Sequence, residues 1–252
     1  MTTPAGDGYE LEFLVQGYPG KSATHGGLGW GGVTLLRGEG HVALVDVGSF
    51  GQRRVVIGEL AKHGLDPSQV TDVILTHAHH DHATNWTMFP NARLVIGARE
   101  LGWAVGVPPG TPVPELYVRA LERSERLSLV DGGDEILPGL VAHDAPGHTP
   151  GHLVFSLSGG PRDVLFSGDA AKNRAELLGR EAEMTHDAAL STRSIENIWE
   201  LWRRRPGTLL VPGHDVPMTL DDGRPAYVGE RSASIAAWFG EDLATMTTFD
   251  LT

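Results

Sequence analysis

Along the first third of the chain short apolar runs alternate with turn signals. Leu11 to Val15, Val33 to Leu36 and His41 to Val47 each carry strand-forming residues with glycine between them, the pattern of a β-meander. Between the first two lies Gly26-Gly27-Leu28-Gly29-Trp30-Gly31-Gly32. It lacks the Lys-Ser/Thr ending of a phosphate cradle and no helix follows it, so it reads as a flexible turn. From Gln52 to His63 the period changes: Val55, Val56, Leu60 and Ala61 recur at helical spacing, and Gly64 stops the run. Asp72 to Thr76 is a strand again, followed by a loop and a helix containing Trp86 and Phe89.

The same signals predict strands over 93–96, 140–143, 152–157, 164–167 and 208–211, and helices over 115–127, 191–204 and 232–239. Trp199 and Trp202, three apart, are placed to pack one helix face on a sheet. Strands dominate, with helices interspersed in both halves, which favours a layered α/β fold over an all-β barrel. A chain of 252 residues, 40% hydrophobic and 21% charged, buries a sizeable core; with no repeat or linker, residues 1–252 read as one domain.

Charge and cysteine narrow the chemistry. Lys and Arg total 20 against 32 Asp and Glu, a formal charge of -12 that repels phosphate backbones and anionic membrane surfaces. The expected partner is a small molecule, with no nucleic acid and no membrane; nothing fixes the oligomeric state. The absence of cysteine excludes disulfides, thiolate metal sites and a cysteine nucleophile. The start MTTPAGDGYE has neither a basic nor an apolar stretch, and no segment offers about 18 uninterrupted apolar residues, so a cytoplasmic location is expected.

The chemistry centres on His77-Ala78-His79-His80-Asp81-His82, directly after the apolar Val73-Ile74-Leu75. Four residues of these types at fixed places within six would arise by chance at a given start on the order of once in a million. Imidazoles buried without partners are costly, and a metal removes that cost. Histidines two apart cannot share a helical face, but a loop leaving a strand can turn alternate side chains to one centre. Nitrogen and carboxylate donors suit zinc first, then iron, cobalt or manganese. Pro146-Gly147-His148, Ser167-Gly168-Asp169 and Pro212-Gly213-His214 supply further donors, each near a predicted strand end.

Taken with Asp46-Val47-Gly48, the ordered motifs His-x-His-x-Asp-His, Gly-His, Gly-Asp and Gly-His resemble the metallo-β-lactamase superfamily over residues 33 to 215. The resemblance implies a four-layer αββα sandwich with two divalent ions in a cleft at one edge of the sheets. It implies that His77, His79 and His148 hold one ion, that Asp81, His82 and His214 hold the other, and that Asp169 bridges them. Asp81 would also orient the ion-bound hydroxide, and Asp46 would support the site. Two dications, two carboxylates and one hydroxide leave about +1, suited to a developing oxyanion, and coordination brings the pKa of water from 15.7 to about 7.

Departures from the sub-family patterns select a branch. There is no cysteine at the third ligand segment, unlike the commonest β-lactamases; His79 stands where the di-iron oxygen reductases have glutamate; the long insertion of the RNA-cleaving members is absent. What remains is similar to lactonases, glyoxalase II-like thioesterases, aryl- and organophosphate-ester hydrolases and mononuclear iron persulfide dioxygenases. Hydrolysis of a small lactone or carboxylic ester is the first expectation. The lactonase tyrosine is missing after Asp169, and His82-Ala83-Thr84-Asn85 replaces the usual His-x-Gly-Gly, so the pocket wall should differ.

Other candidates carry plainer readings beside the functional ones. His80 should alternate away from the ions, and His152 supports the donors rather than joining them. Lys172 and Arg174 either orient a substrate carboxylate or phosphate or lie on a solvated surface. Trp30 and Trp103 are candidates for an apolar cleft wall. His25, His41, His63, His143 and His186 have no spacing argument.

Overall fold

The computed structural model describes residues 3–24 and 26–252, so His25 lies outside the described residues. In chain order the first strands are β1 (Thr3–Ala5), β2 (Tyr9–Val15), a short ribbon of β3 (Lys21–Ser22) and β4 (Gly26–Gly27), β5 (Val33–Gly38) and β6 (His41–Val45). β7 (Asp72–Ile74), β8 (Arg93–Gly97) and β9 (Leu127–Val130) complete a seven-stranded sheet ordered β1-β2-β5-β6-β7-β8-β9. Its first four strands pair antiparallel, while β6 to β9 run parallel. Helices α1 (Arg53–Lys62), α2 (His80–Ala83), α3 (Ala98–Ala104) and α4 (Glu115–Glu122) lie in the connections.

The second sheet is built in sequence order from β10 (Glu135–Leu137), β11 (Leu140–Asp144), β12 (Leu153–Leu157) and β13 (Val164–Gly168). It continues through β14 (Leu209–Pro212), β15 (Met218–Asp221) and β16 (Arg224–Tyr227). Only β13 and β14 pair parallel, and the crossover between them carries α5 (Arg174–Gly179) and α6 (Ala188–Arg203). A hairpin of β17 (Ser234–Ala237) and β18 (Thr247–Asp250) follows. No helix of the described residues is long and apolar enough to cross a membrane.

The two-residue period of the strands sorts side chains into layers. Val73 and Leu75 face an outer cluster with Val56 and Leu60 of α1, Leu101 of α3 and Val118 of α4. Ile74, between them, faces inward with Leu36 and Val95, meeting Phe155, Val164 and Phe166 of the second sheet. On the far side Leu165 and Leu210 pack on Ile195, Ile198, Trp199 and Trp202. That i, i+3, i+4, i+7 stripe explains α6, and the Asp187 side chain caps it by accepting from Leu190 N at 2.9 Å. The order is therefore helices, sheet, sheet, helix. Each fully buried Leu, Val or Phe in these layers contributes about 1.5–3 kcal/mol.

Three elements differ from expectation. The helix expected over 232–239 is β17: Ile235, Trp238 and Phe239 have helical spacing, but no core faces them, and Ile235 pairs across to Phe249 instead. The helix over 115–127 ends at Glu122, because Leu127 is already drawn alongside Leu94 of β8. The helix expected to carry Trp86 and Phe89 is one α turn followed by 3-10 geometry over Thr84–Met88. The remaining layout positions the chemistry: the chain leaves β6, β7, β13 and β14 toward one edge of the paired sheets. Leu153 N donates to Thr76 O at 3.0 Å and Gly213 N to Gly168 O at 2.9 Å, tying the loops there together.

Candidate metal centre

Beyond Ile74 the chain stays extended through Leu75, whose N–H donates to Val95 O at 2.9 Å, and it enters the histidine run fully buried. His77 contacts the Thr76 hydroxyl through Nδ1 at 3.0 Å, while its Nε2 is buried without a hydrogen-bond partner. His79 Nδ1 and His148 Nε2 approach to 2.9 Å. These three residues form one group whose donor atoms lie within 4.8 Å of one another. Two ring nitrogens aimed at the same small space beside a third, unpaired one are the arrangement a cation resolves.

Asp81, His82 and His214 form a second group within the same limit. His214 Nε2 lies 3.2 Å from both Asp81 Oδ2 and His82 Nε2. Between the groups stands Asp169. Its Oδ1 is 3.2 Å from His82 Nε2 and 3.3 Å from His214 Nε2, and its Oδ2 is 3.3 Å from His148 Nε2. The structure thus brings all seven sequence-predicted donors together, one carboxylate oxygen turned to each group. His80 points away and is exposed, while its N–H donates to Pro112 O at 2.9 Å.

Supporting groups fix these side chains. Asp46 adopts a left-handed φ of 54°, which aspartate tolerates better than most residues and which is held here by its surroundings. Its Oδ1 accepts from Thr76 N, its Oδ2 from the Thr76 hydroxyl, and that same Oδ2 lies 2.8 Å from His82 Nδ1. A proton on Nδ1 leaves His82 Nε2 free as a donor atom. His214 Nδ1 similarly meets Tyr18 O at 3.3 Å. His152 Nε2 accepts the Asp169 backbone N–H at 3.0 Å, so His152 braces the shared aspartate from behind.

Sequence reasoning missed three participants. Glu100 of α3 is fully buried; its Oε1 accepts from Ala78 N at 2.9 Å, and its Oε2 from the Thr149 hydroxyl at 2.7 Å and Gly151 N at 3.1 Å. Gly31 belongs to a wall rather than a loose turn: a Cβ there would sit 2.6 Å from Asp81 O and 3.0 Å from the His82 ring. Asn85 is buried and donates to Val47 O at 3.0 Å and to Ser49 O, so the departure from His-x-Gly-Gly braces the loop after β6. The only sequence signal for Gly31 was the density of glycine around it.

The electrostatics divide the donors. Burial pulls His77 and His148 well below the usual imidazole range and His79 to about 4. Burial likewise lowers His152 to about 3, matching its role as an acceptor. Burial acts on His82 and His214 too, but neighbouring carboxylates, Asp169 foremost, outweigh it, holding His82 well above its ordinary value and His214 at about 9. Burial would raise Asp81 and Asp169; the histidines, His82 and His214 chief among them, instead keep both carboxyls well below the ordinary range.

Around this cluster, the Lys172 ammonium pairs with Glu176 Oε1 at 2.8 Å and donates to Glu183 O. Arg174 Nε donates to Pro225 O at 3.0 Å and its guanidinium lies 5.5 Å from the Tyr227 ring. Both cations are engaged by the protein. The Trp103 ring stands edge-on to His79 and His186 at centroid distances of 6.3 and 6.2 Å, and Trp30 stacks on Tyr18 at 4.9 Å. Trp103 therefore flanks the first group of donors, and Tyr18, through its carbonyl, the second.

Two stacked sheets with helices outside and a histidine–aspartate cluster at one edge define a metal-binding sandwich. Residues 31–214 match the profile of the metallo-beta-lactamase superfamily, and the chain belongs to it. A probable metallo-hydrolase of Mycobacterium tuberculosis is 28% identical over 193 residues, 66% of this chain and 62% of that protein. The match thus spans under two thirds of the relative's length. A hydroxyacylglutathione hydrolase of Fuscovulum blasticum is 30% identical over 199 residues, covering 76% of this chain and 67% of that protein. In fold, the chain is similar to AidC, a dizinc quorum-quenching lactonase solved with a product, with a TM-score of 0.73 at 18% identity, covering 92% of this chain and 97% of that one.

Proposed function

We propose that this protein is a metal-dependent hydrolase that holds two divalent ions, zinc first among them, and cleaves an ester-type bond in a small lactone or carboxylic ester. The observation that carries the reading is the Asp169 carboxylate, with one oxygen turned to His82 and His214 and the other to His148. The donors fit the ions: His77 Nε2 is buried without a hydrogen-bond partner, and nitrogen and carboxylate donors suit zinc, with iron or manganese next. His77, His79 and His148 would hold one ion, Asp81, His82 and His214 the second, and Asp169 both. When bound, such a pair polarises a carbonyl and makes water acidic enough to attack near neutrality.

The chain's own residues supply the rest. Asp81, at 16% side-chain exposure more open than the other carboxylates of the cluster, accepts a hydrogen bond from the attacking water and fixes its direction. Asp46 and Tyr18 O keep the proton of His82 and His214 on Nδ1, so that Nε2 faces the ions. Water adds to the acyl carbon and gives up a proton, the acyl–oxygen bond breaks, and the leaving alkoxide takes up that proton. The Trp103 ring provides an apolar wall for the acyl group. Elemental analysis together with a panel of chromogenic esters and lactones tests this. Two ions per chain with chelator-sensitive turnover are expected; trace metal, with folding and activity indifferent to chelator, would overturn it.

A further inference from the structure

Glu100 has no part in the chemistry above, yet its place in the fold is unusual for a carboxylate. It lies in the first turn of α3, fully buried, and its hydrogen bonds leave the helix altogether. Ala78, whose N–H reaches Oε1, sits between His77 and His79. Thr149, whose hydroxyl reaches Oε2, directly follows His148, and Gly151 N–H shares that oxygen. One carboxylate therefore spans the two loops that deliver the three imidazoles of the first group. The packing leaves no slack: a Cβ on Gly151 would lie 2.1 Å from Glu100 N. A carboxylate in the first turn also favours the helix dipole, but that role needs no contact with either loop.

Asp46 reaches the other group through His82 Nδ1 at 2.8 Å, while its bonds to Thr76 lead back to His77 of the first. We propose that Glu100 is the positioning residue of the first ion: it holds the His77–His79 loop and the His148 loop at the separation that lets three imidazoles meet one cation. The inference rests on the two-metal reading and adds a second buried carboxylate beside Asp46, one whose bonds reach the loops of the first ion alone. Three donors converge on two acceptor oxygens, which glutamine cannot reproduce. Its amide nitrogen must face either Ala78 N–H or the Thr149–Gly151 pair, donor against donor.

The test compares wild type with Glu100→Gln, Thr149→Val and Asp46→Asn. Dissociation constants for zinc are measured by chelator competition, and occupancy of each position by anomalous scattering from crystals grown at limiting zinc. Glu100→Gln is expected to weaken the ion at His77, His79 and His148 by about 10–100-fold while the other position changes little, the usual reach of a group that orients ligands. Asp46→Asn should weaken chiefly the ion at Asp81, His82 and His214, with a smaller loss at the first position through Thr76 and His77. Thr149→Val, which removes one of three bonds without a change of volume, should show a smaller loss at the first position, and it carries the test alone if Glu100→Gln does not fold. A merely structural Glu100 would lower the melting temperature and leave both constants unchanged, and that result, or an equal loss at both positions, overturns the inference. Wild type that binds no ion at either position would instead sink the metal reading, and this inference with it.

Discussion

Burial pulls the three imidazoles of the first group below the ordinary imidazole range, whereas neighbouring carboxylates, Asp169 foremost, outweigh burial and hold His82 and His214 above it. Both groups sit at one sheet edge and differ by a carboxylate in the donor set. That difference sets how firmly each group holds its protons. In the second group the carboxylates raise the imidazoles beside them and are themselves kept well below the ordinary carboxyl range by those imidazoles. In the first group burial dominates instead, with His79 Nδ1 and His148 Nε2 meeting at 2.9 Å and His77 Nε2 unpaired. Similar imidazoles are thus drawn down or up according to how many carboxylates face them.

The hardest blow to this contrast is Asp169→Asn, which keeps the shape and removes the shared charge. Turnover of a verified ester or lactone should fall roughly 10³-fold, the equivalent of about 4 kcal/mol of lost charge stabilisation, with the second ion depleted. Near-normal metal content and rate would return Asp169 to the role of a turn residue, which asparagine also fills well. Next come Asp81→Ala and His214→Ala, each expected to remove the second ion and leave the first. Metal analysis showing about one ion per chain checks this, and wild-type rates would contradict it.

The pH dependence sharpens the comparison. An ion entering the second group must displace protons from His82 and His214, so its affinity should rise with pH, about tenfold per unit for each proton displaced, until pH passes His214 near 9. The first ion should show no such slope above the His79 value of about 4. Zinc titrations across pH 6 to 9 read both. The chelated protein tests the sign on stability. His79 and His152 are lowered by burial to about 4 and 3, so below the ordinary value of 6.5 the unfolded chain binds more protons. Stability should therefore fall as pH drops from about 6.5 toward 4, measured by denaturant midpoints. The smallest effect belongs to Lys172→Met. Because Glu176 and Glu183 already engage the ammonium, kcat/KM for a neutral lactone should change by less than about fivefold, a loss of around 1 kcal/mol.

The donors were legible because they are local in sequence. A histidine run directly behind Val73-Ile74-Leu75 announces buried imidazoles, and glycine-flanked His148, Asp169 and His214 recur near strand ends. The central strands were legible for the same reason, each being a continuous apolar run. Glu100 was not, since nothing in Arg99-Glu100-Leu101 marks a buried carboxylate and its partners lie 22, 49 and 51 residues away. The edge strands β1, β9, β10 and β16 were missed because three or four mixed residues carry too little period to register. Gly31 escaped because a close backbone approach leaves no trace in hydrophobicity.

His82 and His214 meet at 3.2 Å across 132 residues of chain, and His79 and His148 at 2.9 Å across 69. An ion held by either pair closes a long loop without a covalent bond, in a chain that has no cysteine to close one otherwise. Such crosslinks restrict the unfolded ensemble most when the loop is long. They also form late, because the second sheet must dock on the first before opposite donors come within reach. Chelation should therefore speed unfolding more than it slows folding, which makes metal loss a matter of the protein's lifetime as well as of its chemistry.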